Sequence, residues 1–199
     1  MNLTPPYLAH LCPICCDTTG AIGTPCHNCL SHTAKLNHAP AGVIPLTIFN
    51  RAHPLRDLLH NYKDPNHPDF HTARQTLINK LATEVPLFPT GITLTTVPST
   101  TRTNHLHTIA QAAGLHPEHT LTVNHTRSER IATPTLFTAQ RTLHGKRIAV
   151  LEDTYVTGAT AQSAAHALRH AGAKVIAIIA IGRRINPQHA PGHPAFSYA

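Results

Sequence analysis

The apolar run Ile148-Ala149-Val150-Leu151 ends in Glu152-Asp153, and after three more residues the chain reads Thr157-Gly158-Ala159-Thr160. No other segment restricts the fold as tightly. Four apolar residues without alternation fit a strand buried on both faces, as in the centre of a parallel sheet. Beyond the turn, Ala161, Ala164, Ala165 and Leu168 fall at i, i+3, i+4 and i+7, the stripe of an amphipathic helix that Gly172 closes. The turn therefore sits at a helix N-terminus, where unpaired backbone N–H groups and the positive end of the dipole suit a phosphate. Gly158 lets backbone approach an anion, and Thr157 and Thr160 add hydroxyls. Glu152 and Asp153 are the only acids from residue 130 onward. Ionised, they only accept hydrogen bonds, which suits ribose hydroxyls or a magnesium ion. Other phosphate motifs fail: the single Gly-Lys pair, Gly145-Lys146, continues with Arg147, and no GxGxxG occurs.

A second constellation lies near the start. Cys12-Pro13-Ile14-Cys15 and Cys26-His27-Asn28-Cys29 are two C-x-x-C knuckles joined by a short glycine-containing loop, the spacing of a zinc ribbon with four thiolate ligands. Cys16 is left over. An odd cysteine count without an apolar leader favours metal over disulfides and a cytoplasmic location. A redox C-x-x-C pair leaves the second knuckle unexplained, and His27 is an alternative ligand among 18 histidines.

Periodicity predicts the rest of an α/β chain. Residues 41–90 read as a joint, with Pro40, Gly42 and Pro45 at its start, followed by two helices; the second carries Phe70, Ala73, Leu77 and Leu81 on one face. From Gly91 the pattern alternates: strand 92–97, helix 106–113 closed by Gly114, strand 120–123, strand 147–151, helix 161–171 and strand 174–181. This is a doubly wound parallel sheet with crossover helices, and its ligand belongs at the C-terminal ends of the strands. Four regions follow: the ribbon at 1–40, a helical joint or hood at 41–90, the core at 91–185, and a Pro-, His- and Gly-rich tail at 186–199, expected to be flexible.

Residues 148–160 resemble the motif by which type I phosphoribosyltransferases bind 5-phosphoribosyl-1-diphosphate (PRPP): four hydrophobic residues, two acidic, three variable, then Thr-Gly-Ala-Thr. A cysteine ribbon, a helical joint and this motif near the C-terminus together resemble the ComF family, phosphoribosyltransferase-like proteins linked to DNA uptake. Leu55, Leu58, Leu59 and Tyr62-Lys63 are similar to a helical segment of that family, and Ile92 to Pro98 to its first core strand. The next family motif, Arg-Gly-Phe-Asn-Gln, is eroded in Thr101-Arg102-Thr103-Asn104-His105, where only Asn104 is in register.

The resemblance implies a type I phosphoribosyltransferase fold. It assigns Glu152 and Asp153 to catalysis, and Thr154, Tyr155, Val156, Thr157, Gly158, Ala159 and Thr160 to PRPP. Ser99, Thr100, Thr101 and Arg102 fall at its pyrophosphate loop. Magnesium is expected with PRPP, and structural zinc at Cys12, Cys15, Cys26 and Cys29. The connection 124–140, with Arg127 and Arg130, matches the family's mobile loop. Nothing in the sequence names an acceptor.

Three activities fit: phosphoribosyl transfer to an unidentified acceptor with release of pyrophosphate, a non-catalytic DNA-processing accessory role through single-stranded DNA or partner proteins, and sensing of PRPP or a nucleotide. The net charge of +7 favours anionic partners. With no Trp and few Phe or Tyr, stacking on single-stranded DNA is poorly provided for. No apolar run approaches the ~20 residues that span a bilayer, so no membrane insertion is expected.

Overall fold

The computed structural model describes residues 11–19, 22–85, 91–99, 104–124 and 130–185. In chain order the elements are α1 (His27–Leu36), β1 (Val43–Pro45), β2 (Ile48–Phe49), α2 (Leu55–Asn61), α3 (Phe70–Glu84), β3 (Thr93–Thr96), α4 (His105–Ala112), β4 (Leu121–Val123), β5 (Phe137–Ala139), β6 (Arg147–Tyr155), α5 (Ala159–His170) and β7 (Lys174–Arg184).

The chain is a mixed α/β protein around a parallel sheet of order β1-β7-β6-β3, with β2 also paired to β7. The two most apolar strands are central because both their faces are covered. Ile148 and Val150 of β6, with Ile178 and Ala180 of β7, pack in one layer with Ala161, Ala164, Ala165 and Leu168 of α5. The alternate residues Ala149, Leu151, Ile179 and Ile181 pack on the other face with Leu55, Leu59, Leu77, Leu81 and Ile109 of α2, α3 and α4. Ile148, Leu151, Ile178 and Ile179 are fully buried; burial of such a side chain stabilises by about 1.5–3 kcal/mol.

Several expected boundaries move. Strand 147–151 continues through both acids to Tyr155, and strand 174–181 continues to Arg184. Pairing of Thr154 with Gly182 and Tyr155 with Arg183 holds this extension. Helix α5 begins at Ala159, two residues early, so Ala159 and Thr160 are already helical. Residues 43–49 are not merely a joint: β1 and β2 add an edge to the sheet. The expected strand 120–123 is absent from the parallel sheet. Leu121–Val123 pairs antiparallel with Phe137–Ala139, and the chain before it meets β3 at the Thr95–Glu118 bridge and through the Thr95 and Thr120 hydroxyls, 2.8 Å apart. The connection 124–140 consequently contains a strand, Phe137–Ala139, and residues 125–129 of it lie outside the described residues. The second cysteine knuckle is the first turn of α1 instead of a ribbon turn.

Because the sheet is parallel, Phe49, Thr96, Tyr155 and Arg184 end their strands on one edge, where a doubly covered sheet accepts ligands. No helix among the described residues is long and apolar enough to cross a membrane.

Candidate functional site

Cys12, Cys15, Cys26 and Cys29 are buried, and their sulfurs all lie within 4.8 Å of one another. The Cys12–Cys29 and Cys15–Cys26 separations are 3.7 and 3.5 Å. A tetrahedron with Zn–S of ~2.3 Å has edges of about 3.8 Å, whereas a disulfide requires ~2.05 Å. The four thiols therefore fit a metal ion such as zinc. Cys16 stands outside the cluster, half-buried, with φ 55°. His27 is exposed and outside it too. Without a metal the thiols restrain one another's ionisation: hydrogen bonding within the group draws Cys12 below the ordinary thiol range and pushes Cys15 and Cys29 above it. A divalent ion removes that conflict.

At the strand edge, the turn from β6 into α5 is held from behind by its carbonyls. Arg183 Nη1 donates to the carbonyls of Tyr155 at 3.1 Å and Val156 at 2.6 Å. His32 Nε2 donates to Thr157 O at 2.7 Å, the Gln162 amide to Gly158 O at 2.8 Å, and Ser163 Oγ to Ala159 O at 2.7 Å. Five consecutive carbonyls are thus engaged. In a trans peptide the following N–H points opposite to its carbonyl, so this pattern turns the amides of residues 156–160 the other way, as an anion-binding nest requires. One of them, Ala159 N–H, is shared with Thr157 Oγ1 at 3.3 Å.

Gly158 is required here twice over. Its φ is +84°, and a Cβ on it would lie 2.0 Å from Tyr155 Oη. Its missing side chain makes room for the buried Tyr155 ring, a reason distinct from close approach to an anion.

The turn floors a cavity of about 370 Å³ lined by Glu152, Asp153, residues 154–161, Lys63, Arg130 and Arg184. Asp153 is buried, and its Oδ2 accepts a hydrogen bond from Tyr62 Oη at 2.5 Å and an ion pair from Lys63. Burial, then the charge of Asp153, push the Tyr62 phenol well above its ordinary range, so Tyr62 is a fixed donor.

The cysteine cluster and the turn share an anchor. Arg183 is fully buried; besides its bonds to the turn, Nε donates to Cys15 O at 2.8 Å, Nη2 reaches Cys15 Sγ at 3.6 Å, and Nη2 pairs with Asp17 Oδ2 at 2.8 Å. Burial opposes its charge, but Cys15, Asp17 and Tyr155 outweigh it and raise its pKa. His32 of α1 is the second link. Its Nδ1 accepts from Ala132 N–H at 3.1 Å while Nε2 donates to Thr157 O, which fixes one neutral tautomer. Ala132 and Thr133, whose amide donates to Ser163 Oγ at 2.8 Å, thereby moor the segment before β5 beside the turn.

Of the residues expected from sequence, Glu152 to Thr160 meet at one cavity, and the four cysteines meet at another centre. Ser99 follows β3 without lining the cavity; Thr100, Thr101, Arg102 and Arg127 lie outside the described residues. Asn104 caps α4, accepting from His107 N–H at 3.2 Å. Tyr62, Lys63, His32, Arg183 and Arg184 carry roles in the site that local pattern does not assign, because each acts across long sequence separations. The one local signal is Arg183-Arg184 ending an otherwise apolar strand. No protein-family model and no curated protein matches the chain.

Proposed function

We propose that the chain is a phosphoribosyltransferase-like protein of the ComF type that binds PRPP with magnesium and transfers its phosphoribosyl group to an acceptor. The observation that carries this reading is the turn at 155–159, five carbonyls tied back beneath a cavity whose wall bears two adjacent carboxylates. The 5-phosphate takes the amides and the Thr157 and Thr160 hydroxyls. Asp153, with Oδ2 occupied by Tyr62 and Lys63, turns its remaining acceptor capacity to the ribose hydroxyls, and Glu152 lies beside it. Glu152 and Asp153 would hold magnesium together with the diphosphate, and the ion would neutralise charge on the leaving pyrophosphate.

In such a transfer the bond from C1 of the ribose to pyrophosphate breaks with oxocarbenium-like charge, so the protein's work is positioning and electrostatic stabilisation. Glu152 and Asp153 supply negative charge near the ribose. His32 and Ser163 hold Ala132 and Thr133, and with them Arg130, beside the cavity. Calorimetric titration with PRPP in millimolar magnesium, followed by pyrophosphate release in the presence of purine, pyrimidine and amine acceptors, tests the reading. Saturable, magnesium-dependent binding supports it, and its absence refutes it.

A further inference from the structure

The cavity wall that carries the two acids also carries a lysine set against one of them. Helix α2 packs on one face of the sheet through Leu55 and Leu59, and its C-cap, Tyr62, is buried with its hydroxyl on Asp153 Oδ2 at 2.5 Å. Lys63 follows at once. Its stem turns back so that Nζ lies 5.3 Å from the centre of the Tyr62 ring, pairs with the same Oδ2 and lines the cavity. The Lys63 side chain is 45% exposed and that of Asp153 11%, so the acid is fixed by its strand and the lysine reaches it from the open side. Arg56–Asp57 makes the contrast: at 4.0 Å and exposed at both ends, such a pair contributes little. Lys63–Asp153 instead joins two elements far apart in sequence, on an oxygen that a buried tyrosine also holds.

That placement decides how the acids meet cations. A divalent ion coming to Oδ2 has to displace both the lysine and the phenol, because like charges on one carboxylate oxygen repel. Magnesium gives up its water reluctantly and is ordinarily bound through one or two carboxylates together with substrate phosphates. An ion arriving alone gains two carboxylates at most, whereas one arriving on a diphosphate brings further oxygens with it. We propose that Lys63 is a positioning residue that holds Asp153 against free divalent cations, so that the acids accept magnesium only together with a diphosphate, and accept ribose 5-phosphate without any. This rests on the phosphoribosyl reading above. Tyr62 and Lys63 also fix Asp153 from the same helix end, so the carboxylate is oriented toward a ribose hydroxyl before any metal is present.

The test uses manganese(II) as probe ion, followed by electron paramagnetic resonance, on the full zinc-loaded chain without PRPP. Lys63→Met and Lys63→Gln should each bind one equivalent at least tenfold more tightly than wild type, and Lys63→Arg should behave as wild type. Calorimetric titration with ribose 5-phosphate, with and without millimolar magnesium, is the second readout. Wild-type affinity should change less than twofold on adding magnesium, whereas that of Lys63→Met should rise at least tenfold. Manganese binding equal in wild type and the Met and Gln variants overturns the proposal, as does a tenfold gain of wild-type ribose 5-phosphate affinity on adding magnesium. A loss of ribose 5-phosphate affinity in the variants that is the same with and without magnesium also overturns it, by making Lys63 a structural contact only. If wild type binds neither PRPP nor ribose 5-phosphate while the manganese contrast holds, the phosphoribosyl reading falls and the exclusion of free cations by Lys63 stands.

Discussion

Gly158, Asp153 and His32 each do one separable thing. Gly158→Val places a β-branched side chain at φ +84° against Tyr155, so it distorts the turn itself. Binding of both PRPP and ribose 5-phosphate should fall below detection by calorimetry, with a lowered Tm. Asp153→Asn leaves the turn intact but removes the charge that Tyr62 and Lys63 hold. Ribose 5-phosphate should keep much of its affinity, while PRPP loses about 1.5–3 kcal/mol, roughly ten- to a hundredfold. His32 is buried neutral, and burial depresses its pKa. The unfolded chain, with an ordinary histidine near ~6.5, then takes up the proton first as pH falls, so the His32 contribution is complete above that pH and is lost below it. In saturating zinc, Tm of wild type should fall more steeply between pH 7 and 5 than Tm of His32→Gln, whose amide can keep one donor and one acceptor. Parallel profiles would contradict the role assigned to His32.

At the scale of elements, the unit from β6 through α5 to β7 was readable because its information is local: an unbroken apolar run, a Thr-Gly turn, an alanine stripe and a closing glycine. The cysteine pairs were readable for the same reason. Strand 120–123 forms as Leu121–Val123 but outside the parallel sheet, because so short a segment carries no signal for its partner, and it pairs antiparallel with Phe137–Ala139. β1 and β2 were hidden by Pro40, Gly42 and Pro45, which read as a joint; Pro45 is tolerated at the edge of the sheet, where a strand loses no partner by lacking an N–H. The tie between cysteine module and turn was invisible, since Cys15 and Arg183 are far apart in sequence. It changes the expectation for metal loss. An appended ribbon would unfold alone, but these cysteines belong to the same apolar cluster as β6 and α5. Cys26→Ser, or chelation, should remove the zinc and also weaken ribose 5-phosphate binding by about tenfold, the equivalent of one hydrogen bond of ~1.4 kcal/mol at the turn. Zinc analysis alongside the titration checks this; full ribose 5-phosphate affinity in zinc-free protein would contradict it.

For the whole molecule, a net charge of +7 sets how polyanions are met. Any binding to single-stranded DNA should be electrostatic, falling steeply between ~50 and ~200 mM salt and indifferent to sequence. A fluorescence-anisotropy salt series measures it, and a salt-insensitive, sequence-selective complex would contradict it. The parallel sheet brings the turn, the carboxylates and Arg184 to one strand edge, and the central claim is that this edge holds PRPP. Titration of the zinc-loaded chain with PRPP in millimolar magnesium tests it most directly: wild type should bind one equivalent, and Gly158→Val none. Heat signals that are absent from wild type, or the same in both proteins, would contradict it.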